Sequence, residues 1–216
     1  AKGPATINEG APNQPFYFAV TGTTVTPRRT VVSLTKCNAC HQDLKVLFSH
    51  GNQRITIEHC VICHNPNGTD LARRPADHSA DPGESISFAR MIHRIHTGEE
   101  LTQDYTIYGN SGVGASFNEV TYPGDRRNCL ACHVNAASYA LPLPLTNVPV
   151  NTPRDFFSPR GSATSACTGC HDSRDVAAHA YINTAFFPKD PTVPAEACGT
   201  CHGTGTDLDV AKVHAR

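Results

Sequence analysis

The sequence contains no tryptophan and a single methionine, Met91, and aromatic residues make up only 7% of its 216 positions. With 39% hydrophobic residues, 16 glycines and 16 prolines, side chains alone would build a thin core. No apolar run approaches the roughly 20 residues needed to cross a bilayer as a helix, so no transmembrane segment is expected. Charge of neither sign dominates: 18 Lys and Arg stand against 19 Asp and Glu, for a formal net charge of -1. That balance lacks the basic excess of a nucleic-acid surface.

Cysteine, by contrast, is abundant and ordered. All ten cysteines fall in five copies of one pattern: Cys37-x-x-Cys40-His41, Cys60-x-x-Cys63-His64, Cys129-x-x-Cys132-His133, Cys167-x-x-Cys170-His171 and Cys198-x-x-Cys201-His202. Cys-x-x-Cys-His is the attachment site of c-type haem: two thiols about one helical turn apart form thioethers with the porphyrin edge, and the adjacent His reaches the iron. A thioredoxin-like pair needs no following His, zinc sites would be left with three ligands each, and a disulfide framework would not enforce the x-x spacing. Five covalent c-type haems, each carrying iron, are therefore expected, and they would replace the core that the side chains lack. Two propionates per haem, partly offset by the ferric porphyrin's positive charge, would make the holoprotein more negative than the bare chain. The 13 Arg against 5 Lys suit bidentate pairing to such carboxylates, or equally plain surface solubility. Attachment of this kind takes place outside the cytoplasm, so Ala1 is expected to be a mature terminus after signal cleavage.

Along the chain, residues 1–15 read as an extended arm, and Phe16–Val20 and Thr30–Leu34 as one or two short strands. The first motif is expected to continue as a helix through Phe48, with Leu44, Leu47 and Phe48 on an apolar side and Gly51 as the stop. The spacings between first cysteines, 23, 69, 38 and 31 residues, argue against a regular repeat. Within the longest gap, Ser85–Gly98 predicts a helix capped by Ser85 or Ser87 and ended by Gly98, with Phe88, Met91, Ile92 and Ile95 at helical apolar spacing. A β-hairpin-like excursion is expected over 105–122, and the five prolines of 141–160 predict irregular coil.

Once the motif histidines are committed, His50, His59, His78, His93, His96, His179 and His214 remain. One methionine allows at most one His/Met haem, so the irons are bis-His or open, and potentials without Met ligation are low. His93 and His96, three apart on the predicted helix and about 5–6 Å apart at Cβ, are placed to serve two neighbouring irons. His50, nine residues after His41 on what reads as the same helix, points away from its own haem and is expected to serve another. His179 and His214 are each placed to be distal ligands. His59, directly before Cys60, is open to ligating a different haem or bonding a propionate, and His78 between Asp77 and Asp81 reads as solvated.

The sequence resembles the outer-membrane decahaem cytochromes of metal-reducing bacteria, the OmcA/MtrC family. The resemblance is carried by His50-Gly51, Cys60-x-x-Cys-His-Asn-Pro66, Met91-Ile-His-Arg-Ile-His-Thr-Gly98, Asp104-Tyr-Thr-Ile-Tyr-Gly109, Phe117-Asn-Glu-Val-Thr-Tyr-Pro-Gly-Asp125, Cys129-Leu-Ala-Cys-His133 and Val213-His214. It covers about residues 16–216 and corresponds to one five-haem domain. It implies distal ligands at His50, His93, His96, His179 and His214, and extracellular electron transfer to minerals or shuttles. Family members carry two such domains together with β-barrel domains, whereas this chain has one pentahaem unit and a remnant of strand sequence.

These readings combine into a mostly irregular and α-helical multihaem cytochrome c: short helices around five haems, a small β remnant at the N-terminus, an arm over 1–35 and a pentahaem domain over 36–216. The expected function is electron transfer through closely packed bis-His haems, not enzymatic catalysis, in a secreted, cell-surface or extracellular protein, with a periplasmic location as the alternative. Expected partners are further copies in a head-to-tail filament, other multihaem cytochromes, and mineral or soluble acceptors. The alternatives are a monomeric shuttle and a multihaem reductase with an open haem. Five-haem nitrite reductases carry Lys in place of the motif His at their catalytic haem, a change that none of the five motifs shows.

Overall fold

A computed structural model describes residues 13–42, 44, 50, 53–187 and 190–215. These form two compact units, one of residues 1–63 with 129–138 and one of 64–128 with 139–216. No helix of the described residues is long and apolar enough to cross a membrane.

In the first unit, residues 16–20 form no strand, and Phe16, Phe18 and Val20 are exposed. The strands expected there need a partner edge, and only Val32 finds one, as a single antiparallel bridge to His133. Helix α1 (Leu34–His41) then carries the first motif and stops at Gln42, whose φ of 47° is left-handed. The predicted continuation through Phe48 is therefore wrong at its first step: the chain turns at Gln42, and Leu47, Phe48 and Gly51 lie outside the described residues. The argument that placed His50 on the same helix as His41 falls with it. Lys36, next to the first motif, donates to the carbonyls of Leu130 (2.8 Å) and His133 (2.5 Å), while Ser33 N–H reaches Cys132 O at 2.9 Å. The first and third motifs are thus clamped together. Helix α2 (Ile57–Cys63) carries the cysteines of the second motif.

The second unit contains α3 (Phe88–Thr97), α4 (Ser162–Cys167), α5 (Arg174–Ile182), α6 (Gly199–His202) and α7 (Val210–Val213). Strands β1 (Thr106–Tyr108) and β2 (Gly114–Ser116) pair antiparallel within the expected excursion. Strands β3 (Thr184–Phe187) and β4 (Asp190–Glu196) form a second antiparallel pair with an irregular register between Ala185 and Phe187. What strand structure there is among the described residues thus lies in these two hairpins, not in an N-terminal remnant. Residues 141–160 are irregular, as their prolines predict, apart from isolated bridges of Leu141 to Gly203 and of Val150 to Arg160.

Helix α3 begins after Ser87 and ends at Gly98, where φ is 51° and a Cβ would collide with the carbonyl oxygen of Val120. The face it buries is not the apolar one. Arg90, Arg94 and Thr97 are buried, whereas Phe88, Met91, Ile92 and Ile95 are only half-buried. The same inversion holds across the described residues: Leu44, Ile57, Tyr105, Leu141, Val150, Ala163 and Ala177 are the buried apolar side chains, and buried polar and charged ones outnumber them.

An ionic centre fills the second unit in their place. Arg90 donates to Asp155 at 2.6 Å and approaches Glu84 at 3.7 Å, while Arg160 meets the other Asp155 oxygen at 3.1 Å. Asp70 accepts from Arg74 Nε and from the N–H groups of Glu84 and Tyr108. Arg94 lies 4.7 Å over the ring of Tyr105, which is 0% exposed. Desolvation lowers the Arg160 guanidinium to about 10 and pushes the Glu84 carboxyl above its ordinary value, against the pull of Arg90. Four arginines that composition assigned to propionates or to the surface, Arg74, Arg90, Arg94 and Arg160, are thus buried against the protein's own carboxylates.

Candidate haem-binding centres

Three of the attachment motifs share one local geometry. In the third, fourth and fifth, the N–H of the histidine bonds the carbonyl of the first cysteine at 2.9 Å: His133 to Cys129, His171 to Cys167 and His202 to Cys198. That single helical turn sets both thiols and the imidazole on one side of the backbone. All ten cysteines are described and none is in a disulfide. Burial pushes the half-buried Cys37, Cys60, Cys132 and Cys198 thiols upward, so they are held protonated, unlike the thiolates of a redox-active pair.

The histidine rings are oriented by their own chain. His64 Nδ1 lies 2.9 Å from Ile86 O, His96 Nδ1 2.8 Å from Ile92 O, His202 Nδ1 3.2 Å from Leu208 O, and His214 Nδ1 2.9 Å from Val210 O. A carbonyl oxygen only accepts, so each Nδ1 carries the proton and Nε2 keeps its lone pair for a metal. His133 reaches the same state through Ser138: the Ser138 hydroxyl donates to Asn135 O at 2.6 Å, leaving Oγ to accept from His133 Nδ1 at 3.0 Å. Sequence reasoning missed Ser138, since a serine five residues past a motif carries no signal of its own. Burial, with Arg29 and Lys36 nearby, pushes the His133 imidazole down. His171 is lowered likewise by burial and by His214. Both are thereby kept in the neutral, ligating form.

Two pairs of histidines face one another. The ring centres of His171 and His214 are 6.1 Å apart with an interplanar angle of 67°, and those of His179 and His202 are 6.3 Å apart at 85°. His93 and His96 diverge along α3. The Cβ of His93 packs onto Gly169 inside the fourth motif, where a larger residue would collide with it, and the His96 ring lies 5.7 Å from Tyr122. Beside Tyr122 is a polar cavity of about 550 Å³ bounded by Thr97, Glu99, Glu100, Asp125, Arg126 and Arg127. His78 differs from all of these: it is half-buried against the Tyr108 ring, with Nδ1 3.0 Å from Asp81 and Nε2 4.0 Å from Asp77. Its partners are carboxylates and a tyrosine ring of its own chain, so it is less open to water than its polar loop suggests. His59 is half-buried in α2, and His50 is described while residues 45–49 and 51–52 around it are not.

These residues fit a c-type haem on three independent grounds. The thiols are not tied up in disulfides, imidazoles present Nε2, and the apolar side chains of α3 are only half covered by the rest of the protein.

The sequence matches the family described as outer membrane cytochrome MtrC/MtrF-like, domains II/IV, over residues 29–215. It is 22% identical over 131 residues to the multiheme cytochrome MtrC of Shewanella baltica (strain OS185), a match spanning 54% of this chain and 20% of that protein. The structure is similar to that of the outer membrane decaheme cytochrome OmcA, with a TM-score of 0.50 and 27% identity over 87% of this chain and 24% of OmcA. The chain therefore spans only about a fifth to a quarter of the length of these relatives.

Proposed function

The chain belongs to the MtrC/MtrF-like family of outer membrane cytochromes, and from that premise we propose that it is a pentahaem electron-transfer module with no substrate chemistry of its own. The observation that carries this reading is the convergence of five Cys-x-x-Cys-His motifs with histidine rings whose Nδ1 atoms are held by carbonyls and whose Nε2 atoms are presented to a metal.

Cys37, Cys40, Cys60, Cys63, Cys129, Cys132, Cys167, Cys170, Cys198 and Cys201 would hold the haems covalently, with His41, His64, His133, His171 and His202 as the ligands within the motifs. His50, His93, His96, His179 and His214 are the distal set. Bound haem supplies a one-electron iron couple at each position, kept at low potential where both axial ligands are histidine. The chain's own residues do the rest. Backbone carbonyls fix the imidazole tautomers, the half-buried Met91, Ile92 and Ile95 would cover haem faces against water, and α3 would space two ligand histidines. Packing of His93 on Gly169 brings a ligand of one centre against the attachment loop of another, which favours short transfer distances.

Ten histidines for five irons leave no coordination position for a substrate. This separates the reading from a multihaem reductase. Intact-mass and pyridine haemochrome measurements on the holoprotein are expected to give five haems per chain, and carbon monoxide is expected to leave the reduced spectrum unchanged. Fewer haems, or a carbon monoxide adduct at one haem equivalent, would contradict it.

The module works at the cell surface as one part of a longer haem chain whose other parts are other multihaem cytochromes or further copies in a filament, and it delivers electrons to mineral or soluble acceptors. Exposed apolar side chains in the extended segment support association: Phe16 is 84% exposed and stacks on Phe18 rather than in a core. Sedimentation of the holoprotein at high concentration distinguishes assembly from a monomeric shuttle.

A further inference from the structure

Histidines 179 and 214 each follow an attachment motif in sequence, His179 eight residues after His171 and His214 twelve after His202. Proximity along the chain would assign each to the motif it follows. The geometry points to the crossed arrangement, in which His214 shares an iron with His171 and His179 shares an iron with His202. The inference rests on the bis-histidine reading above and specifies its ligand pairs in the second unit.

Two imidazoles facing each other across one metal, with metal–nitrogen bonds of roughly 2.0–2.1 Å, place their ring centres about 6.3 Å apart. The observed separations are 6.1 Å for His171 and His214 and 6.3 Å for His179 and His202. Edge-to-face contact between rings spans about 4.5–7 Å, so distance alone does not decide the matter. The proton positions add a second constraint. His202 and His214 commit Nδ1 to the carbonyls of Leu208 and Val210, which leaves Nε2 as the metal-binding nitrogen.

Chain geometry explains why the order is crossed. Helix α5 starts three residues after His171, capped by the Ser173 hydroxyl accepting from Val176 N–H, and it carries His179 roughly 7–8 Å along its axis, away from the motif it follows. At the other end, Asp209 accepts from Gly205 and Ala211 N–H groups and starts α7, which delivers His214 to His171. Each haem is then bonded covalently to one segment and through its iron to the other. The crossing closes residues 167–214 into an interlocked pair of centres that hold each other at fixed spacing.

The test uses the electron paramagnetic resonance of oxidised holoprotein together with its intact mass. In the five-haem chain, His179→Ala and His214→Ala each convert one low-spin haem to high spin if both are ligands; if neither does, the bis-histidine reading fails, and the crossing with it. The pairing itself is read in a Cys167→Ala/Cys170→Ala background that lacks the fourth haem. There, His214→Ala is expected to add no high-spin signal and His179→Ala to add one equivalent. The reverse result would overturn the crossing while leaving the bis-histidine reading intact. Should the four-haem chain not accumulate, His214→Met in the five-haem chain gives the same discrimination by paramagnetic NMR. Contacts from the introduced methyl to the haem bearing the Cys167 and Cys170 thioethers support the crossing, and contacts to the haem bearing Cys198 and Cys201 contradict it.

Discussion

The ionic centre of the second unit and the helices α4 to α7 of the same unit are held in opposite ways. Around Arg90, Glu84 and Asp155, each buried charge meets another from the chain, and Tyr105 and Asp70 are sealed within the protein. Around α5 and α7, Tyr181, Ile182 and Val213 are left exposed, Ile182 at 78%, and paired histidine rings stand a metal's width apart. The first region pairs its charges within the polypeptide, although Arg90 Nε and Nη1 and Arg160 Nε are buried without a hydrogen-bond partner. The second is the region that, on the proposed reading, bound haems would hold together. On that reading the two regions divide the labour, charges holding α3 in place and haems supplying the apolar core.

The sharpest way to break this comparison is to remove the haems. A chain produced without haem attachment is expected to lose its near-ultraviolet circular dichroism and its cooperative thermal transition, because its buried apolar side chains are too few to offset chain entropy. A cooperative transition in the apo chain would show that the ionic centre suffices. Next in size is Asp155→Asn, which leaves Arg90 and Arg160 without their shared carboxylate. A loss of about 3–5 kcal/mol is expected from the denaturation midpoint, with haem content and spin state unchanged. A high-spin signal in this variant would mean that the two regions are not separable.

Glu84 gives a pH-dependent test of smaller effect. Burial raises its folded pKa above the unfolded value, so its contribution to stability is complete below the ordinary glutamate range and is lost as pH rises through the raised value. Arg90, Arg94 and Arg154 oppose that rise, and Asp155 adds to it. Wild type is therefore expected to lose stability relative to Glu84→Gln between mildly acidic and neutral pH, whereas parallel curves would remove Glu84 from the account. Smallest is His78→Ala. At a surface site between two carboxylates it should change stability by less than about 0.5 kcal/mol and leave every haem low spin.

What could be read from the sequence was local. The attachment motifs are five-residue patterns, and α3 announces itself through Ser87, Gly98 and its spacing, all within twelve residues. The direction in which α3 would face was not legible, because Arg90 finds Asp155 across 65 positions and neither residue signals the other. The hairpin of β3 and β4 escaped notice because prolines at 188, 191 and 194 mask its alternation. The helix predicted after His41 failed for a related reason: apolar spacing over 44–48 suggested continuation, but the backbone reverses at Gln42. The ring pairs of His171 with His214 and His179 with His202 required the fold, since chain proximity suggests the other pairing.

The central claim is that all five irons are six-coordinate between histidines. Electron paramagnetic resonance of the fully oxidised holoprotein, with haem counted on the same sample, tests it most directly. The account predicts five haems per chain, low-spin ferric signals only, and highly anisotropic signals from the pairs whose ring planes are steeply crossed, at 67° and 85°. One full equivalent of high-spin ferric iron in the native protein would contradict it.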